Sequence, residues 1–121
     1  MQETLRSTKA NMKLSIYDVG GEVVKDNETY VLKDNKTLNN LVLSSTDLKA
    51  GQSTRGHSHP GQEEVYYFVS GVGEMEIDNR RFNVQGGDVV LIPDGAFHRV
   101  HNGSKSNGLY FVCVFDCKRN H

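Results

Sequence analysis

Four side chains in this 121-residue chain have the types and spacing to hold a metal ion: His57, His59, Glu64 and His98. In extended chain, side chains two apart project from one face, so His57 and His59 set two imidazoles side by side. Pro60-Gly61-Gln62 is a turn signal. A strand that starts again near Glu63 and runs through Val65-Tyr66-Tyr67-Phe68-Val69 brings the Glu64 carboxylate back toward the imidazoles. A second turn signal, Pro93-Asp94-Gly95, precedes His98, which offers a third imidazole. Three neutral nitrogens and one carboxylate oxygen suit a first-row divalent ion and leave positions open for water or substrate.

These residues resemble the two sequence motifs of the cupin superfamily. Gly51, His57, His59, Glu64 and Gly71 match the first motif; Gly87, Pro93, Gly95, His98 and Asn102 match the second, and the spacer between them is short. The resemblance covers the chain from about Gly51 onward. It implies an all-β fold, a double-stranded antiparallel β-barrel of the jelly-roll kind, with one divalent transition metal ion (Fe, Mn, Zn, Ni, Co or Cu) inside. Three function classes follow from it. The stretch HSHPGQEEVYYFVSGVGEME is similar to small stand-alone cupins of the mannose-6-phosphate isomerase-like type, which puts first an isomerase or epimerase acting on a sugar or sugar phosphate. The alternatives are a non-haem iron dioxygenase acting on a small organic substrate and a non-catalytic module that holds a small ligand through its metal.

Strand phase selects the neighbours that could act in chemistry. Arg55 shares the phase of His57 and His59, which would aim its guanidinium inward and favour an anionic substrate, a carboxylate or phosphate; a bulge at Gly56 would instead carry it to the solvent rim. Tyr66 and Phe68 share the phase of Glu64 and line the pocket, and the Tyr66 hydroxyl is a candidate for proton transfer or for a substrate hydrogen bond. Tyr66 and Arg55 are thus the candidate catalytic residues. Glu63 lies out of phase and reads as a surface carboxylate, with the role of backup ligand. His101 and His121 read as exposed and unrelated to the metal, and Asn102 as the fastener of a turn.

The elements that must position these groups are short strands. Residues 1–11 form a polar arm and residues 12–121 the barrel. Met12–Val19 alternates weakly. Strands follow at Glu22–Lys25, Thr29–Leu32 and Leu41–Leu48, with a polar loop over Lys33–Asn40. Beyond the first motif, GEMEID alternates as a half-buried strand, Asp78-Asn79-Arg80 turns it back, and Leu109–Cys117 is the last strand. Eight to ten short strands with no useful helical period suit a sandwich or barrel.

Composition narrows the partners. A net charge of −1 gives no electrostatic basis for binding nucleic acid or an anionic membrane. The first twenty residues lack a signal-peptide apolar core, and no stretch reaches membrane-span length, so the expected location is the cytoplasm. Cys113 and Cys117, about 13 Å apart at ~3.3 Å per residue, are too distant for an intrachain disulfide and read as reduced thiols. Val65, Tyr67 and Val69 form an apolar outer face, and a homodimer is expected with a small-molecule, anionic substrate.

Overall fold

The computed structural model describes residues 12–116, which contain nine strands and no helix. They are β1 (Glu22–Asp26), β2 (Tyr30–Asn35), β3 (Leu41–Leu48), β4 (Glu64–Ser70), β5 (Val72–Ile77), β6 (Arg80–Gln85), β7 (Val89–Ile92), β8 (His98–His101) and β9 (Leu109–Asp116). Two sheets form, a six-stranded one in the order β1-β2-β3-β9-β4-β7 and a three-stranded one in the order β6-β5-β8. Every strand pair is antiparallel. This is the all-β jelly roll expected from the sequence. The proposed 1–11 arm, Cys117 and His121 lie outside the described residues.

The core follows from register. Cross-strand partners on one face of a sheet touch, so rows of partners define what faces inward. One row runs Val42–Phe115–Glu64–Ile92, the next Ser44–Cys113–Tyr66–Val90, the next Thr46–Phe111–Phe68. Met75 of β5, Val84 of β6 and Val100 of β8 close the same core from the small sheet. Phe68 is fully buried, with ring contacts to Phe111 at 5.1 Å and Tyr66 at 6.2 Å. Phe68→Ala is therefore expected to cost about 3–5 kcal/mol of stability, read from urea unfolding of the full chain. A loss below about 1 kcal/mol would mean that the two sheets do not pack through this ring.

Two stretches differ from the sequence expectation. Met12–Val19 does not form a strand; it folds on itself in a Ser15–Asp18 bridge. The Ser15 and Asp18 side chains accept from the backbone N–H groups of Tyr17 and Gly20, local bonds that compete with a ladder. The Tyr110 hydroxyl donates to the Ile16 carbonyl, tying the segment to β9. In turn β2 runs on to Asn35 where a loop was expected, because Lys33, Asp34 and Asn35 find partners in Ser45, Ser44 and Leu43 of β3. Among the described residues no helix is long and apolar enough to cross a membrane.

Candidate metal centre

Two tight turns set up the site. In His59–Gln62 the Gln62 N–H donates to the His59 carbonyl at 3.0 Å, with Gly61 at φ +86°. In Pro93–Ala96 the Ala96 N–H donates to the Pro93 carbonyl at 3.1 Å, with Gly95 at φ +77°. Glycine in the third place is what a type II turn demands, and proline in the second place of the first turn fits the same geometry. The turns are joined: the Gly61 N–H donates to Asp94 Oδ1 at 2.6 Å.

The residues before the first turn run alongside β8 as an irregular edge. Ser53 opposes His101 and His57 opposes His98, so a four-residue step faces a three-residue step. One residue is extra, which is a bulge. Thr54 fastens it, since its N–H donates to the Val100 carbonyl, its Oγ1 accepts from the Val100 N–H and its carbonyl accepts from Arg99 Nε. Gly56 carries the distortion at φ +85°, and a Cβ there would lie 2.7 Å from Phe97 Cζ. The bulge breaks the simple alternation, and Arg55 is exposed rather than interior.

With His57 set by that edge, His59 by the turn and His98 by β8, the ligand atoms of the three imidazoles lie within 4.8 Å of one another. Ring centroids are 4.2 Å apart for His57–His59 and 4.9 Å for His57–His98. His98 is buried and its Nδ1 faces the Ala96 carbonyl at 3.1 Å. A carbonyl only accepts, so Nδ1 carries the proton and Nε2 presents its lone pair to the site, the usual preparation of a ligating histidine. Glu64 Oε2 approaches that Nε2 at 3.3 Å, a near contact without hydrogen-bond alignment. Nε2 is left as a buried polar atom with no hydrogen-bond partner among the described residues, an arrangement that a metal ion would satisfy. The residues present thus fit a divalent ion.

Electrostatics agree with that fit. Burial lowers the His57 pKa, and the neighbouring His59 and His98 lower it further, so the ring is neutral and able to ligate at pH 7. Burial also pulls on His98, but contact with the Glu64 carboxylate and the Ala96 carbonyl outweighs it and raises the pKa. Glu64 is buried and Glu63 exposed, so the backup ligand faces away from the site.

Tyr66 is buried beneath the histidines, its ring edge-on to His98 at 5.8 Å and stacked on Phe111 at 5.2 Å. Burial, followed by the neighbouring Cys113 side chain and the Glu64 carboxylate, pushes its pKa well above the ordinary phenol value. The hydroxyl therefore stays protonated, able to donate a hydrogen bond but not to act as a phenolate base. Asn102 fastens the loop after β8: its Nδ2 donates to the carbonyls of Leu48, Lys49 and Asn107, and its Oδ1 accepts from the Ser104 N–H. Gln62, buried with Nε2 directed to the Asp116 carbonyl at 3.4 Å, was not singled out in the sequence. The signal was present, because Gln62 keeps the alternate phase of Glu64 and Tyr66.

Comparison with known proteins adds a family. A family model for the cupin domain matches residues 45–115. Protein MJ1618 of Methanocaldococcus jannaschii is 31% identical over 84 residues, 60% of this chain and 67% of that protein. The oxalate-binding protein of Thermotoga maritima is 30% identical over 67 residues, 55% of this chain and 54% of its own length. The oxalate decarboxylase of Lactobacillus farciminis, solved with formate, superposes with a TM-score of 0.68 at 28% identity over 75% of this chain and 30% of that one. The match thus spans about half of the oxalate-binding protein and under a third of the decarboxylase.

Proposed function

The chain belongs to the cupin family, and on that premise we propose that it binds and activates a small carboxylate, oxalate or a 2-oxo acid, at a divalent metal held by His57, His59, His98 and Glu64. The observation that carries this reading is the buried, unpartnered Nε2 of His98, aimed at two further imidazoles and flanked by a carboxylate. When bound, the metal would supply Lewis-acid or redox chemistry at oxygen atoms of the ligand. The chain's own residues do the rest. His98 keeps one tautomer through Ala96. Tyr66 keeps a protonated hydroxyl beside the Cys113 thiol, and its ring packs with Phe68 and Phe111 as a buried aromatic floor. Arg55, exposed two residues from His57, draws an anion toward the mouth.

Two relatives bearing oxalate in their names support the substrate class. A sugar-phosphate isomerase is less well served, because Glu64 lies against His98 Nε2 at 3.3 Å and Tyr66 is held neutral, which leaves neither as a free base. A homodimer joined through the outer face that exposes Val65 and Leu91 forms part of the same proposal.

The test is calorimetric titration of oxalate, pyruvate and mannose 6-phosphate into metal-free and manganese-loaded protein, followed by assays for CO₂ release and O₂ uptake. Metal-dependent oxalate binding is expected. Tight binding of the sugar phosphate with none of the carboxylates would overturn the substrate class.

A further inference from the structure

The outer face of the small sheet carries a second constellation, away from the metal ligands. Ser53 Oγ lies 2.8 Å from His101 Nδ1, and His101 Nε2 lies 3.0 Å from Glu76 Oε1. The carboxylate only accepts, so Nε2 must carry the imidazole proton. Nδ1 of the neutral ring is then the acceptor, and the bond from Ser53 is donated by its hydroxyl. A serine whose proton rests on a histidine oriented by a carboxylate is the arrangement that activates a hydroxyl nucleophile.

Backbone geometry adds a second component. Opposite His101, Ser53 sits in a pair that exchanges no ladder bonds: Thr54 N–H reaches the Val100 carbonyl and Asn102 N–H the Gln52 carbonyl. In such a pair the two side chains are close, and the Ser53 N–H points away from β8 toward the open edge of the sheet. That N–H stands beside the hydroxyl it would serve as an oxyanion donor. Ser53 is half-buried and the His101 and Glu76 side chains are about one-fifth exposed, so the group is reachable from solvent. His101 also borders an open depression of about 940 Å³ lined by Glu74, Asn83, Asp88 and Ser104. Its two carboxylates disfavour anionic substrates.

We propose that Ser53, His101 and Glu76 form a second, metal-independent reactive centre that takes uncharged or cationic short acyl esters. Ser53 Oγ bonds to the acyl carbon while its proton moves to His101 Nδ1 and the carbonyl π pair moves to oxygen. Collapse of the tetrahedral species breaks the bond to the leaving alkoxide, which takes the proton back from His101. Water, deprotonated by the same nitrogen, then releases the acid from Ser53, and no redox partner is needed.

The charged groups around His101 are Glu76 and Glu74 on β5, Arg81 on β6, which contacts Glu74 at 2.7 Å and Glu76 at 3.5 Å, and Arg99 two residues before it on β8. The experiment treats the full chain, with and without metal, with an uncharged fluorophosphonate probe, maps the adduct by peptide mass spectrometry and follows p-nitrophenyl acetate hydrolysis. Labelling of Ser53, equal in both metal states, is expected. His101→Gln keeps a hydrogen-bonding side chain in place and should slow labelling by about 100-fold or more. Glu76→Gln should slow it by roughly tenfold and Glu76→Asp by less, since an amide can turn its NH2 group toward Nε2 and release the tautomer that keeps Nδ1 an acceptor. An adduct elsewhere, no adduct, or an unchanged rate in folded His101→Gln overturns the proposal and leaves the group as a fastening of the sheet.

Discussion

Replacing His98 by alanine is expected to weaken divalent-metal binding by two to three orders of magnitude while leaving a folded β protein. A structural zinc site contributes about 10–16 kcal/mol on binding, so one ligand of four corresponds to roughly 2.5–4 kcal/mol. The metal-free protein should tolerate the change better than a buried imidazole normally would, because the substitution also removes a buried nitrogen that has no hydrogen-bond partner. Chelator competition measures the affinity, and far-UV circular dichroism checks the fold. The pH dependence has a definite sign. The pKa of His98 is raised, and its proton competes with the metal for Nε2, so affinity is full above that pKa and falls as pH drops through it. Parent-like metal affinity in the alanine variant would sink the ligand assignment.

Gly56→Ala should act on stability and on the site together. A left-handed conformation costs a non-glycine residue about 1–2 kcal/mol. The added carbon would also lie 2.7 Å from Phe97 Cζ and 3.2 Å from Arg99 Cδ, on the residues flanking His98. Displacing those side chains adds about 1–3 kcal/mol. Together they correspond to a fall in melting temperature of roughly 10–20 °C for a chain of this size. A Phe97→Leu background should return the packing share and none of the backbone share, and a double-mutant cycle on melting and metal affinity separates the two. If Gly56→Ala melts within a few degrees of the parent, the bulge is more pliable than its contacts imply.

Much of this arrangement is legible in the amino-acid sequence. Pro60-Gly61 and Pro93-Asp94-Gly95 announced the turns, and the run from Glu64 to Val69 announced a strand whose alternate residues are buried. The grouping of His57, His59 and His98 followed from motif spacing. Local phase was not enough where a local irregularity intervened. For Arg55 phase left two places open, the interior of a regular strand or the rim beside a bulge at Gly56, and the extra residue there carries it to solvent. Ser15 and Asp18 took backbone bonds that a weak alternation could not hold. His101 read as an isolated exposed histidine because its partners are 48 and 25 residues away in sequence, which no window could join. The chemistry of Gln62, Cys113 and Tyr66 likewise depends on neighbours brought by register rather than by sequence.

The bond from the Gly61 amide to Asp94 Oδ1 links two turns 33 residues apart, immediately beside the histidines each turn presents. Bringing such distant segments together has an entropy cost that grows with the logarithm of the intervening length. Here folding has already met that cost before any ligand arrives. An ion entering between His59 and His98 therefore closes no loop and orders little chain, so its binding free energy goes into coordination rather than into assembling the coordinating groups.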